Sequence, residues 1–203
     1  MVLVLGLGNP GRRYEGTRHN AGFRVVDRLA ERRGVALDKK QLGALVASTD
    51  TFDLAGSPLA KPFILAKPQG YMNLSGQVAA SLRGFYKVAT EDIVVVHDEV
   101  DLPFGDVRVK RGGGTAGHNG VKDVADKLGT PDFIRVRCGV GRPPDGWDTA
   151  DYVLASFMTE EEAQVPAIVD RAADAVEHIV NDGLERAMQA VNTRPRRADP
   201  TPL

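Results

Sequence analysis

The stretch Ile93-Val94-Val95-Val96-His97-Asp98-Glu99 joins four consecutive apolar β-branched residues to three polar ones. An uninterrupted run of this kind has no polar face to offer water, so it predicts a buried central strand covered on both faces. His97-Asp98-Glu99 is then expected at the end of that strand, where open α/β sheets place their binding sites.

The flanking sequence fits such a sheet. Residues 2–7 form a second short apolar run, and a loop rich in Gly, Pro and Arg lasts to His19. From Asn20 the spacing becomes helical, with Phe23, Val26, Leu29 and Ala30 on one side, Arg24, Asp27, Arg28 and Glu31 elsewhere, and Gly34 as a stop. Strands are predicted at 44–48, 52–55 and 63–66, and a helix over 75–86 with Val78, Leu82 and Phe85 on its apolar side. A strand at 106–110, a glycine-rich loop over 112–117, a helix over 120–128 and a strand over 133–140 follow. A long helix is expected from Glu160, capped by Thr159, to Asn181, then Gly183 and a short helix over 184–191. This alternation predicts an α/β fold with a mixed sheet, a single domain over residues 1–192. Residues 193–203 lack apolar periodicity and are expected as a loose tail.

A chain of 203 residues suits one domain. No apolar run reaches membrane-spanning length and the N-terminus has no signal-peptide pattern, so a cytoplasmic location is expected. The single cysteine, Cys138, cannot close an internal disulfide and lies in an apolar run as core filling. Net charge is −1 but uneven: residues 145–185 hold eleven acids and one base, Arg171, a balance of −10 that leaves the remainder at +9. Bases cluster as Arg12, Arg13 and Arg18, as Arg108, Lys110 and Arg111, and as Arg135 and Arg137. A local basic face for a polyanion is compatible with this, as is scattered solvated charge.

Gly6-Leu7-Gly8-Asn9-Pro10-Gly11 matches a dinucleotide-binding fingerprint, but the context is wrong. More loop follows Gly11 where a helix should open onto a pyrophosphate, and Asp27 falls within a predicted helix instead of ending a second strand. A more informative pattern is the concentration of hydrogen-bonding side chains beside strand ends: Asn9, Tyr14, His19 and Asn20; Tyr71 and Asn73; His97 and Asp98; His118 and Asn119. Such loops are expected to converge on one cleft. Plainer readings exist. His19, Asn20 or Asn73 could cap the helices that follow, Asp98 with Glu99 and Asp101 could form a turn or cation loop, and the glycines at 112–117 could be a connector. His97 and His118 read as structural neighbours of the site, and His178 as a surface residue.

Four segments carry a family resemblance. Gly6 to Gly11 with Tyr14 and Thr17-Arg18-His19-Asn20-Ala21-Gly22, Tyr71-Met72-Asn73-Leu74-Ser75-Gly76, His97-Asp98-Glu99-Val100-Asp101-Leu102-Pro103, and Gly112-Gly113-Gly114 to Gly117-His118-Asn119-Gly120 together resemble the signatures of bacterial peptidyl-tRNA hydrolases. The resemblance spans about Val2 to Asn192 and implies a mixed twisted sheet flanked by helices. It further implies a monomeric cytoplasmic enzyme without cofactor that recycles tRNA from peptidyl-tRNA released by ribosomes. By position it makes His19 the catalytic base, Asp98 its partner and Asn9 a neighbour of the scissile ester. Asn73 and Asn119 would hold substrate or water, and Tyr14 and Tyr71 would line the site. Gly70, where the family more usually has Thr, and Thr115-Ala116 within the glycine loop depart from the pattern.

The chemistry is consistent with these residue types. Ester hydrolysis needs a base near neutral pH, which histidine supplies; a carboxylate fixes the ring's tautomer, and amides donate to a developing oxyanion. No nucleophilic serine motif is evident, so water is the expected nucleophile, and no metal-ligand spacing is evident, so none is expected. Arg108, Lys110 and Arg137 are expected to border the cleft and meet tRNA phosphates, unless Arg135 or Arg137 instead pairs with acids of 145–185. The main rival is a non-catalytic RNA-binding relative of the same fold.

Overall fold

The computed structural model describes residues 1–49 and 61–193. The strand expected at 52–55 and the tail expected from Arg194 onward lie outside the described residues. Seven strands, β1 Val2–Gly6, β2 Lys39–Gln41, β3 Ala44–Ser48, β4 Phe63–Pro68, β5 Ile93–Glu99, β6 Val107–Arg111 and β7 Ile134–Gly139, form one sheet in the order β2-β3-β4-β1-β5-β7-β6. The helices are α1 Ala21–Arg33, α2 Ser75–Tyr86, α3 Asn119–Leu128, α4 Thr149–Leu154, α5 Thr159–Glu162, α6 Val165–Asp182 and α7 Leu184–Asn192. Strands β4, β1, β5 and β7 run parallel, while the β2–β3–β4 side and the β6 edge are antiparallel. The domain is α/β with a mixed sheet, as expected.

Side chains alternate across the central strands, and each face is buried by helices. Val2, Val4, Val94, Val96, Ile134 and Val136 pack with Val25, Val26 and Leu29 of α1 and Ile168, Ala172 and Val176 of α6. Leu3, Leu5, Ile93, Val95 and Phe133 pack on the other face with Val78, Ala79 and Leu82 of α2 and Val121, Val124 and Leu128 of α3. Cys138 is buried core, and burial pushes its thiol up to about 12. Phe85 departs from its expected place: the buried face of α2 is Val78, Ala79 and Leu82, and Phe85 is exposed.

Two details shape the site. β5 continues to Glu99 because β7 pairs with it from Val94 onward, Asp98 opposite Cys138 and Glu99 opposite Gly139, so His97-Asp98-Glu99 is buried strand. α1 lies against the β1–β5 seam through Gly22, where a Cβ would stand 2.3 Å from the Val96 carbonyl oxygen and 2.4 Å from the Leu7 nitrogen. Only a residue without a side chain permits that approach.

The long helix expected from Glu160 is two helices. Pro166, which lacks an N–H, sits in the first turn of α6, and the cap position of α5 is Met158, not Thr159. The acidic segment meets the arginines of α1: Arg24 with Glu162, Arg28 with Asp170, Arg32 with Asp170, Asp174 and Glu177, and Arg33 with Glu177. This zipper pairs four acids of the segment with four arginines of α1. No described helix is long and apolar enough to cross a membrane.

Candidate active site

The carboxyl ends of β1, β4 and β5 open onto a cleft of about 960 Å³ lined by Asn9, Tyr14, His19, Tyr71, Asn73, Asp98, His118 and Asn119, among others. The loops expected to converge therefore do so. At the floor lies Asp98, 2 % exposed. His19 Nδ1 donates to its Oδ1 at 2.9 Å and is 3.1 Å from Oδ2, and His118 Nε2 donates to the same Oδ1 at 2.9 Å. Burial alone would raise the Asp98 carboxyl, but the charges and hydrogen bonds of His118 and His19 prevail and hold it well below the usual carboxylate range.

Each partner is fixed from behind. His118 is the N-cap of α3, its Nδ1 accepting from the backbone N–H of Gly120 and Val121, so its ring proton sits on Nε2. His97 stacks edge-on to His118 at 5.0 Å and donates from Nδ1 to the Asp98 carbonyl. Burial, then the neighbouring His118, drives the His97 imidazole well below its ordinary range. His19 occupies a short 3-10 turn, Arg18–Asn20. Asn20 holds the N-cap position of α1 without a side-chain cap bond: its side chain instead accepts from the Asn9 N–H at 2.8 Å and donates to the Asn9 carbonyl at 3.0 Å. Asn9 Oδ1 in turn accepts from the Met72 N–H at 2.8 Å, which directs its Nδ2 donor to the remaining side, the cleft. Asn73 makes no cap bond either; it stands exposed in the turn Met72–Leu74.

The His19, Asp98 and His118 ligating atoms lie within 4.8 Å of one another, the dimensions of a metal site. The donor set does not suit one. A metal on His118 Nε2 would move the ring proton to Nδ1, which faces two N–H donors. Nor do Asp98, Glu99 and Asp101 form a cation loop. Glu99 pairs with Arg137 at 3.0 Å and Asp101 with Arg142 at 2.8 Å, so each acid has its own partner.

A family model described as "Peptidyl-tRNA hydrolase" matches residues 3–199. The chain belongs to the peptidyl-tRNA hydrolase family. It is 52% identical over 185 residues to the peptidyl-tRNA hydrolase of Frankia casuarinae, covering 91% of this chain and 90% of that one. It is equally 52% identical over 192 residues to that of Mycolicibacterium vanbaalenii, covering 94% and 96%. Among solved structures, a peptidyl-tRNA hydrolase in complex with n-propanol superposes with a TM-score of 0.86 at 33% identity, covering 97% of both chains. The Acinetobacter baumannii peptidyl-tRNA hydrolase gives 0.85 at 34%, covering 95% of both.

Within this hydrolase fold the basic residues depart from expectation. Arg108, Lys110 and Arg137 do not line the histidine cleft. They line a separate depression of about 450 Å³ that shares Asp101 with it, because β6 is an antiparallel edge strand set beyond β7. Arg108 lies opposite Arg137 and Lys110 opposite Arg135, four cations on one face of a two-stranded ribbon. Neither Arg135 nor Arg137 pairs with the 145–185 acids in the hydrogen bonds described: Arg135 donates to the Gly113 and Gly114 carbonyls and Arg137 to Glu99. Arg108 is held by Asp106 and the Asn192 carbonyl. Lys110 is pulled below its ordinary range, first by burial and then by Arg137 and Arg135.

Sequence reasoning missed the far wall of the cleft. It is formed by Arg142, Pro143, Asp148, Thr149, Ala150, Val153 and Leu154, mostly on α4, a helix too short for its periodicity to register. The Asp148 cap, accepting from the Ala150 and Asp151 N–H groups, was the one legible signal.

Proposed function

We propose that this chain hydrolyses the ester between a peptide and its tRNA by water attack, with His19 as general base. The observation that carries this reading is the doubly fixed Asp98. It takes the His19 Nδ1–H, so the ring accepts a proton through Nε2, and the ionised carboxylate stabilises the imidazolium that forms. His19 sits on the cleft with Asn9, whose free amide donor suits a developing oxyanion. Asn73 and Asn119 offer further amides for peptide groups or for the attacking water, and Tyr14 and Tyr71 supply aromatic walls.

The tRNA backbone is placed over the neighbouring basic depression. Arg108, Lys110 and Arg137 line it, with the buried Arg135 behind them, and phosphate relieves the repulsion among these like charges. Among the described residues Lys110 makes no ion pair, whereas Arg108 and Arg137 have Asp106 and Glu99. We further propose a cytoplasmic monomer whose catalytic domain ends with α7.

Purified protein treated with a chelator and given N-acetyl-aminoacyl-tRNA is expected to release free tRNA at the untreated rate. Loss of turnover restored by zinc or manganese would overturn the metal-free mechanism; no turnover under any condition would overturn the hydrolase assignment.

A further inference from the structure

We infer that Arg18 is a positioning residue that registers the far wall of the cleft against the catalytic turn, and that this wall receives the peptide. The inference rests on the proposed reaction.

Arg18 precedes His19, yet its side chain points away from Asp98 and is buried, 3 % exposed. Nη1 donates to the Ser156 carbonyl at 2.8 Å and to the Ala155 carbonyl at 3.3 Å, and reaches the Tyr152 carbonyl at 3.5 Å. Nη2 meets Glu161 Oε2 at 2.5 Å, and the guanidinium lies over the Tyr152 ring at 4.2 Å. The backbone joins in: Thr17 bridges Ser156, and the Arg18 N–H donates to the Ala155 carbonyl at 3.2 Å. A cation here also satisfies carbonyls left open at the end of α4 and opposes the negative end of that helix's dipole.

Among the described residues the wall has a further polar side-chain tie, Arg142 with Asp101. Its apolar anchorage is a satellite core of three buried residues, Val140, Tyr152 and Val153, with Val100 and Phe157 against it. Thr149, Ala150 and Leu154 are exposed. A second pin, Tyr152 Oη donating to the Val140 carbonyl at 2.7 Å, ties the wall to the residue just past β7, whose own N–H donates to the Glu99 carbonyl next to Asp98. Both ties act on the end of the wall at residues 152–156, one from the chain that carries His19 and one from the residue that follows β7. Its cleft side presents Ala150, Val153 and Leu154 with the acid Asp148. With Arg142 paired to Asp101, this mainly apolar surface suits the acyl side of the substrate, while Arg108, Lys110 and Arg137 lie on the β6 side.

The test compares Arg18→Lys and Glu161→Gln with wild type on two substrates sharing one tRNA: an N-acetylated single residue and an N-acetylated tetrapeptide. Lysine keeps the charge but cannot span the carbonyls and the carboxylate together. KM for the tetrapeptide substrate is expected to rise about tenfold more than KM for the single residue, the scale of one charge-assisted hydrogen bond, while kcat falls by the same factor for both. Hydrogen exchange is expected to quicken in residues 149–157 and not in β1 or β5. A KM change independent of peptide length, or exchange unchanged in 149–157, overturns the inference. If Arg18→Lys does not fold, Glu161→Gln carries the same two readouts. Wild-type inactivity on both substrates would instead count against the hydrolase reading.

Discussion

Replacing Asp98 by asparagine removes one charge and almost no volume from the centre of the site. In the native protein both imidazoles donate to this carboxylate, His19 at 2.9 and 3.1 Å and His118 at 2.9 Å. An amide offers one acceptor oxygen and one NH2. With its oxygen in the place of Oδ1 both donated bonds survive, but the NH2 then faces a ring nitrogen that is itself a donor. Turned over, the NH2 faces the His118 Nε2–H, which then has no acceptor, and His19 keeps only the oxygen at 3.1 Å. In either orientation the imidazolium loses its counter-charge. The expected fall in kcat is roughly 10²–10⁴-fold, measured as single-turnover release of tRNA from N-acetyl-aminoacyl-tRNA. A folded variant within about tenfold of wild type would refute the pairing. Because the Asp98 carboxyl is held below its unfolded value, its contribution to stability is complete above that value and is lost as pH falls through the native one. The carboxylate's own share of the stability difference between wild type and variant is therefore expected to shrink as pH falls below about 4, read by denaturant titration at each pH.

Two further perturbations probe separate links. Lys110→Ala is expected to weaken tRNA binding and lower the slope of log affinity against log salt by roughly one unit, with chemistry intact at saturation; an unchanged slope would move the tRNA elsewhere. Gly22→Ala drives a methyl to 2.3 Å from the Val96 carbonyl oxygen, so overpacking of about 1–3 kcal/mol should lower Tm by several degrees, and an unchanged Tm would refute the argument for close approach.

How much was legible in the sequence followed the reach of each signal. The valine run of β5, the apolar run of β1 and the 3.6-residue spacing of α1 are local patterns, and even the α1 stop at Gly34, with φ of 63°, could be read from composition. The residues of the cleft were identifiable as strand-end polar groups and through the family signatures. What was not legible depends on contacts between distant segments. Asn20 looks like a helix cap but clamps Asn9, eleven residues back. His118 caps α3 while holding Asp98, twenty residues away. Arg18 serves a wall more than 130 residues on. The basic ribbon was placed at the cleft because its position in the sheet, outside β7, follows from strand order and not from adjacency to the glycine loop.

The proposed chemistry turns on His19 as the proton acceptor. His19→Ala, assayed in single turnover beside wild type on one N-acetyl-aminoacyl-tRNA preparation, with tRNA affinity and folding checked on the same samples, is expected to lose roughly 10²–10⁴-fold in rate while tRNA affinity holds and the protein stays folded at the assay temperature. A folded His19→Ala protein that binds tRNA and cleaves the ester at the wild-type rate would contradict it.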